Sequence, residues 1–295
     1  MRVTNYSMTQ FIQEQIAKTN DRVARLQSEV ATGQRIQHPS DDPEGAAQAA
    51  GYRSRLTAID QYTQSATEAK GWLQLQESTL GEMGTALRQA HALGLQGNNP
   101  QSVEAREAVA GQIDAVRSHL LQLANTRQGS RYLFAGFRTT TPPFAESGGT
   151  VQYAGDTGVM TIALGDGQAM PLNISGAELC NMGGAADIFS SLSQLAQAVR
   201  TGDQTAIGTQ LADLEDHSAR VTAQRGQTGI RMTQAEMALS HLASSRQVLD
   251  DLLNGVEAAD LSRTVVDLQA QQNVLQATSY VAMSLSRGGL LNWLQ

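Results

Sequence analysis

The sequence predicts a mainly α chain with a small inserted β domain, long antiparallel helices, and a terminal coiled coil formed by its N- and C-terminal helices. Three observations carry that prediction. Both ends show a seven-residue apolar repeat, long helical stripes flank the middle, and the stretch from Tyr132 to Ala177 turns to short β-type runs punctuated by Gly and Pro.

The first element is a helix from about Tyr6 to Thr32, ended by Gly33 as its C-cap. Its seam is Ile12, Ile16, Thr19, Val23, Leu26 and Val30, in alternating four- and three-residue steps. The stretch from Arg35 to Ser40 is a loop. The run Ser40-Asp41-Asp42-Pro43-Glu44 then starts a second helix, with a Ser or Asp cap, Pro in the first turn and an acid at the positive end of the dipole. That helix keeps a stripe through Ile59, Tyr62, Ala66, Leu73, Leu80, Met83, Leu87 and Ala90 until Gly97-Asn98-Asn99-Pro100 breaks it. A third places Val109, Ile113, Val116, Leu120 and Leu123 on one face and fades at Gln128-Gly129.

In the middle, β runs are expected at Tyr132–Phe134, Val151–Tyr153, Val159–Leu164 and Met170–Ile174, with turns at Gly148-Gly149, Gly155-Asp156 and Gly165-Asp166-Gly167. Helices resume at Asp187, an N-cap, and turn at Thr201-Gly202-Asp203. A long helix then carries Ile207, Leu211, Leu214, Val221, Met232, Ala235, Leu239, Leu242, Leu249 and Leu252, weakened at Gly226 and Gly229 and ended at Gly255. The last helix starts at Asp260. Its seam is Leu261, Val265, Leu268, Gln272, Leu275, Ser279, Ala282 and Ser286, with Leu285 alongside, closing in Leu290, Leu291, Trp293 and Leu294. Three domains are expected: a terminal coiled coil from 1–40 and 256–295, a long-helix bundle from 41–131 and 182–255, and an outer β domain from 132–181.

Each terminal stripe must pair with another helix. Diluted by Thr19, Gln272, Ser279 and Ser286, the pair is marginal in a single chain and is expected to become ordered only among neighbours. Composition points the same way. Charged residues make up 17%, below the roughly 25% of ordinary soluble domains, which suits a surface that packs on copies of itself. A net charge of −7 disfavours a nucleic-acid partner, and 4% aromatics disfavour an aromatic-lined pocket. Cys180 is the single cysteine, so no internal disulfide or thiolate metal cluster is expected. Met1–Tyr6 lacks the apolar run of a cleaved signal peptide, and no stretch approaches the roughly 20 apolar residues of a membrane span.

Catalytic, cofactor and metal sites are all expected to be absent. His38, His91, His119, His217 and His241 are scattered, with no two at ligand spacing. Asp41 and Asp42, the one carboxylate pair worth weighing for acid–base work, read as capping groups because Pro43 and a helix follow them. Gly165-Asp166-Gly167 lacks the helix of a phosphate loop and reads as a hairpin turn.

Three segments, in order along the chain, resemble the flagellin family of bacterial axial proteins. Thr32-Gly33-Gln34-Arg35-Ile36 with Ser40-Asp41-Asp42-Pro43 is similar to that family's join between its first two helices. Arg131-Tyr132-Leu133-Phe134-Ala135-Gly136 with Pro142-Pro143-Phe144 is similar to the start of the outer domain in the junction proteins of the family, a feature flagellins usually lack. Asp260-Leu261 through Gln271-Gln272 to Leu290-Leu291 is similar to its C-terminal helix, although Gly288-Gly289 and Trp293 depart from the usual ending.

The resemblance implies a structural adaptor at the bacterial flagellar hook–filament junction. Such a chain assembles as a ring on hook-associated protein 1 and provides the platform on which flagellin polymerises. The alternative is a flagellin-like filament subunit. Implied partners are further copies of itself, a FlgN-type export chaperone and the flagellar type III exporter, with no nucleic acid and no membrane insertion. The implied location is extracellular. The residues implied in assembly are Ile12, Ile16, Val23, Leu26, Val30, Leu261, Val265, Leu268, Leu275, Ala282 and Leu285, with Arg35, Ser40, Asp41, Asp42 and Pro43 forming the motif loop and helix cap.

Overall fold

The computed structural model describes residues 2–99, 102–184 and 186–291, with side chains described from Ser7 to Ser284 apart from Thr9. Helices dominate: α1 (Arg2–Thr32), α2 (Pro43–Gly97), α3 (Val103–Ala124), the single turn α4 (Gly176–Leu179), α5 (Ile188–Thr201), α6 (Gln204–Glu257) and α7 (Leu261–Leu291). Between α3 and α4 lie three separate antiparallel hairpins: β1 (Arg127–Gln128) with β2 (Arg131–Tyr132), β3 (Phe144–Ser147) with β4 (Thr150–Tyr153), and β5 (Thr161–Gly165) with β6 (Gln168–Pro171). The fold class is thus mainly α with a small β insert. The chain forms two compact units, one of residues 1–57 and 246–295, the other of residues 58–245. Helices α2 and α6 each contribute to both.

In the second unit α2 and α6 run antiparallel. Lys70 pairs with Glu236 at 2.9 Å, Glu77 with Arg225 at 2.6 Å and His91 with Glu215 at 3.3 Å, so one number rises as the other falls. Such surface pairs mark register more than they add stability. The core lies between these helices, α3 and α5, with Leu80, Met83, Leu87, Ile113, Leu120, Ile188, Leu192 and Ile207 at most 1% exposed. Their helical spacing is what made the stripes legible. The caps are as the sequence suggests: Asp187 and Ser190 form a reciprocal capping box, and Gly202 closes α5 at φ 75°.

The β insert was read less well. Leu133 and Phe134 are not strand residues; they are fully buried at a turn and plug the core beneath the hairpins. Phe144–Ser147, of which the sequence motif includes only Phe144, is strand β3, and of Met170–Ile174 only the first two residues pair. Side-chain hydrogen bonds to backbone hold the segments around the hairpins. Asn125 bonds both the N–H and the carbonyl of Phe144, at 3.0 and 2.9 Å, which also stops α3 at Ala124, short of Gln128. Asn173 likewise holds Met160 N–H and Gly158 O, each at 2.8 Å. Phe144 joins the insert to the helices through ring contacts with Tyr153 at 5.2 Å and Phe189 at 5.6 Å. Gly136 has φ 70°, and a Cβ there would overlap Asp156, whose carboxylate accepts from Phe137 N and Gly158 N.

Helix α6 also runs further than expected. It continues through Gly226, Gly229 and Gly255 to Glu257, and Leu252, placed on the apolar stripe by spacing, is 45% exposed.

Candidate assembly interface

The first unit holds every residue picked out for assembly. Thr32 ends α1, and Gly33, at φ 70°, donates its N–H to Glu29 O at 2.9 Å, the C-cap geometry the sequence suggests. The chain then meets the far end of the sequence. Gln34 forms an antiparallel bridge with Ala258, Ala259 N donates to Gly33 O at 2.9 Å, and Arg35 N donates to Glu257 O at 2.7 Å. The Arg35 guanidinium reaches Val256 O and Asp42 Oδ2, each at 3.1 Å.

Asp42 caps a helix, whereas Asp41 closes the loop before it. Asp41 Oδ2 accepts from His38 N at 2.9 Å and Gln37 N at 3.3 Å, and its other oxygen pairs with Arg25 at 2.7 Å. Asp42 Oδ1 caps α2 by accepting from Gly45 N at 3.0 Å. Both carboxyls are held below the usual carboxylate range, Asp41 first by the His38 N–H and Asp42 first by the Gly45 N–H, then by Arg35. Their contribution is therefore complete above an ordinary carboxylate pKa of about 3.9 and is lost as the pH falls through the lower folded values. Ser40 lies exposed in the turn before Pro43, which opens α2.

From this joint α1 and α7 run antiparallel and pack on each other. On α1, Ile12, Thr19 and Val23 are buried and Ile16, Leu26 and Val30 half-buried. On α7, Leu268, Gln272, Leu275, Ser279 and Ala282 are half-buried on the facing side. The first two positions differ from the sequence reading. Leu261 and Val265 are 48% and 40% exposed, while Thr264, at 7%, takes the inner place. The Thr264 hydroxyl donates to Asp260 O at 2.8 Å, and Asp260 caps the helix by accepting from Arg263 N at 3.1 Å. Leu285 lies on α7, but its side chain, like Trp293 and Leu294, falls outside the described residues.

The outward sides of the pair are unusual. Between Asp267 and Arg287 no residue of α7 carries a charge, nor does any of α1 between Arg2 and Glu14. Yet Met8, Phe11, Val274, Tyr280, Val281 and Met283 are 48–74% exposed. Because the helices are antiparallel, the charge-free segment of α1 lies at the end away from the joint, while that of α7 runs from near the joint toward the same end. Arg53, Glu257 and Thr264 were missed by sequence reading. The one signal was Glu257 itself, an acid in the last turn of a helix, where the dipole disfavours it.

Elsewhere the described residues offer no metal set of three or more His, Cys, Asp or Glu groups, and no helix among them is long and apolar enough to cross a membrane.

Residues 3–139 match the family model of the bacterial flagellin N-terminal helical region. Along nearly its full length the chain is similar to flagellar hook-associated protein 3 of Escherichia coli, 28% identical over 98% of each chain. It is 30% identical to flagellar hook-associated protein 3 of Salmonella typhimurium over 61% of this chain and 57% of that relative. The crystal structure of Xanthomonas campestris FlgL shares the fold, with a TM-score of 0.62 at 19% identity over 69% of this chain and 99% of the other. The resemblance to the flagellin family and its hook-associated members, read from the three motif segments, is borne out by these likenesses.

Proposed function

From that likeness to hook-associated protein 3, we propose that the chain is a structural adaptor of the bacterial flagellum, placed where hook meets filament. It acts by subunit geometry, as a ring seated on hook-associated protein 1, and presents a platform on which flagellin polymerises. The observation that carries this reading is the terminal pair: two helices joined along a thin seam, with outer faces that carry long charge-free, apolar stretches.

An isolated soluble helix pair would place charge on those faces. A ring buries them against like neighbours. At about 25 cal/mol per Å², each Val or Leu moved from exposed to buried adds about 1.5–3 kcal/mol, enough to offset the cost of ordering the helix that carries it. The same faces need cover beforehand, which fits a FlgN-type chaperone holding the C-terminal helix before passage through the flagellar type III exporter.

The test is deletion of the gene, with imaging of the cells and assay of flagellin in the medium. Intact hooks, no filaments and shed monomeric flagellin are expected. Filaments still growing on the hooks would overturn the junction reading and favour a flagellin-like subunit of the filament.

A further inference from the structure

Glu257 is the only buried acidic residue among the described ones, 7% exposed, and it stands in the last turn of α6 against the preference of the helix dipole. Stability does not account for such a placement. Burying a carboxylate costs desolvation, here with a partner, Arg53, whose side chain stays 58% exposed, and an apolar residue of similar volume often does as well or better. What surrounds Glu257 is a set of cations and donors from the other half of the chain. Arg53, ten residues into α2, meets its carboxylate at 2.8 Å. Arg35 donates its N–H to the Glu257 carbonyl at 2.7 Å and its guanidinium to the Val256 carbonyl at 3.1 Å. These carbonyls belong to the last turn of α6, which has no intrahelical donors left for them. The cation from the first connector thus caps the helix of the last.

We propose that Glu257, Arg53 and Arg35 form a register pin, which fixes the α1–α7 pair in one axial and rotational setting on the ends of α2 and α6. An apolar contact tolerates sliding and rotation. A buried carboxylate does not, because any setting that separates it from Arg53 leaves a charge unpaired in a low dielectric. The three residues are positioning residues: they select one assembly geometry from those the thin seam would allow. This inference rests on the terminal pair being the assembly element.

The test uses the purified full-length chain and, separately, cells carrying each variant. In the pure chain, Glu257→Leu and Arg53→Met are expected to speed amide exchange of residues 26–36 and 257–268 by about tenfold or more, while exchange in the second unit stays unchanged. The charge swap Arg53→Glu with Glu257→Arg is expected to restore much of the protection. In cells, the single variants lose filaments and the swap regains a measurable fraction. Native exchange in both single variants would overturn the pin, as would equal acceleration in both units or a swap no better than its parts. The exchange result does not depend on where the protein works. Filaments on hooks in the deletion strain would end the junction reading while leaving it intact.

Discussion

Single residues here act mainly by satisfying backbone. Asp187 caps α5 by accepting from Phe189 N and Ser190 N, both at 2.9 Å, with Ser190 answering from its hydroxyl. Replacing Asp187 by Ala removes that acceptor and should cost about 1 kcal/mol in chemical denaturation of the purified chain. His217 is a different case. It is 3% exposed, with Nε2 lying 3.3 Å from Ser191 Oγ and Nδ1 buried without a partner. Burial pushes its pKa down, with Arg220 adding to the effect and Asp213, Asp187 and Asp216 opposing it. The unfolded chain therefore binds this proton more readily than the folded one. Stability due to His217 is complete above an ordinary histidine pKa of about 6.5 and is lost as the pH falls below it. A fall in unfolding midpoint between about pH 7 and pH 5, flattened in His217→Gln, is the expected outcome. A midpoint with the same pH dependence in both would remove His217 from the account.

Among the elements, the helices were legible wherever apolar spacing and caps agreed, as along α3 and α5. The hairpins were not, because their backbone is held by Asn125, Asn173 and Asp156, whose bonds to Phe144, Met160 and Phe137 span 13 to 19 residues and leave no periodic trace. The terminal helices sit between these cases. Their spacing was visible, yet only Ile12, Thr19 and Val23 on α1 and Thr264 on α7 are buried among the described side chains, two of the four being threonines. So thin a seam leaves little to hold the pair in one chain. Hydrogen exchange of a verified monomer should be fastest in α1 and α7, rising away from the joint at Gln34 and Ala258. Protection of Ile16 and Leu275 equal to that of Leu80 and Leu120 would show that the seam needs no neighbours.

For the whole molecule, function is assigned to a surface that a single chain leaves open. If the outer faces of α7 are what a ring buries, charges placed there should block assembly and leave the fold alone. Val274→Asp with Val281→Asp is expected to leave the circular dichroism and unfolding of the chain unchanged, since both positions are about half exposed, 48% and 50%. Filament growth on hooks should fall at least tenfold in cells carrying the pair. Normal filaments would assign the uncharged stretch to another role, and a loss of folding would show these valines to be packed within the chain.

The amino-acid sequence alone determined the mainly α class, the β insert, the caps at Asp42, Asp187 and Asp260, and the two terminal stripes, because each is a local pattern of spacing or capping chemistry. Only the tertiary structure decided that Thr264 rather than Val265 is buried in the first turn of α7, that the three hairpins stay separate, and that Arg35 closes the far end of α6. The last of these depends on a pairing across 221 residues, Arg35 with Val256, where the energy belongs to a meeting of segments and neither segment alone carries its mark.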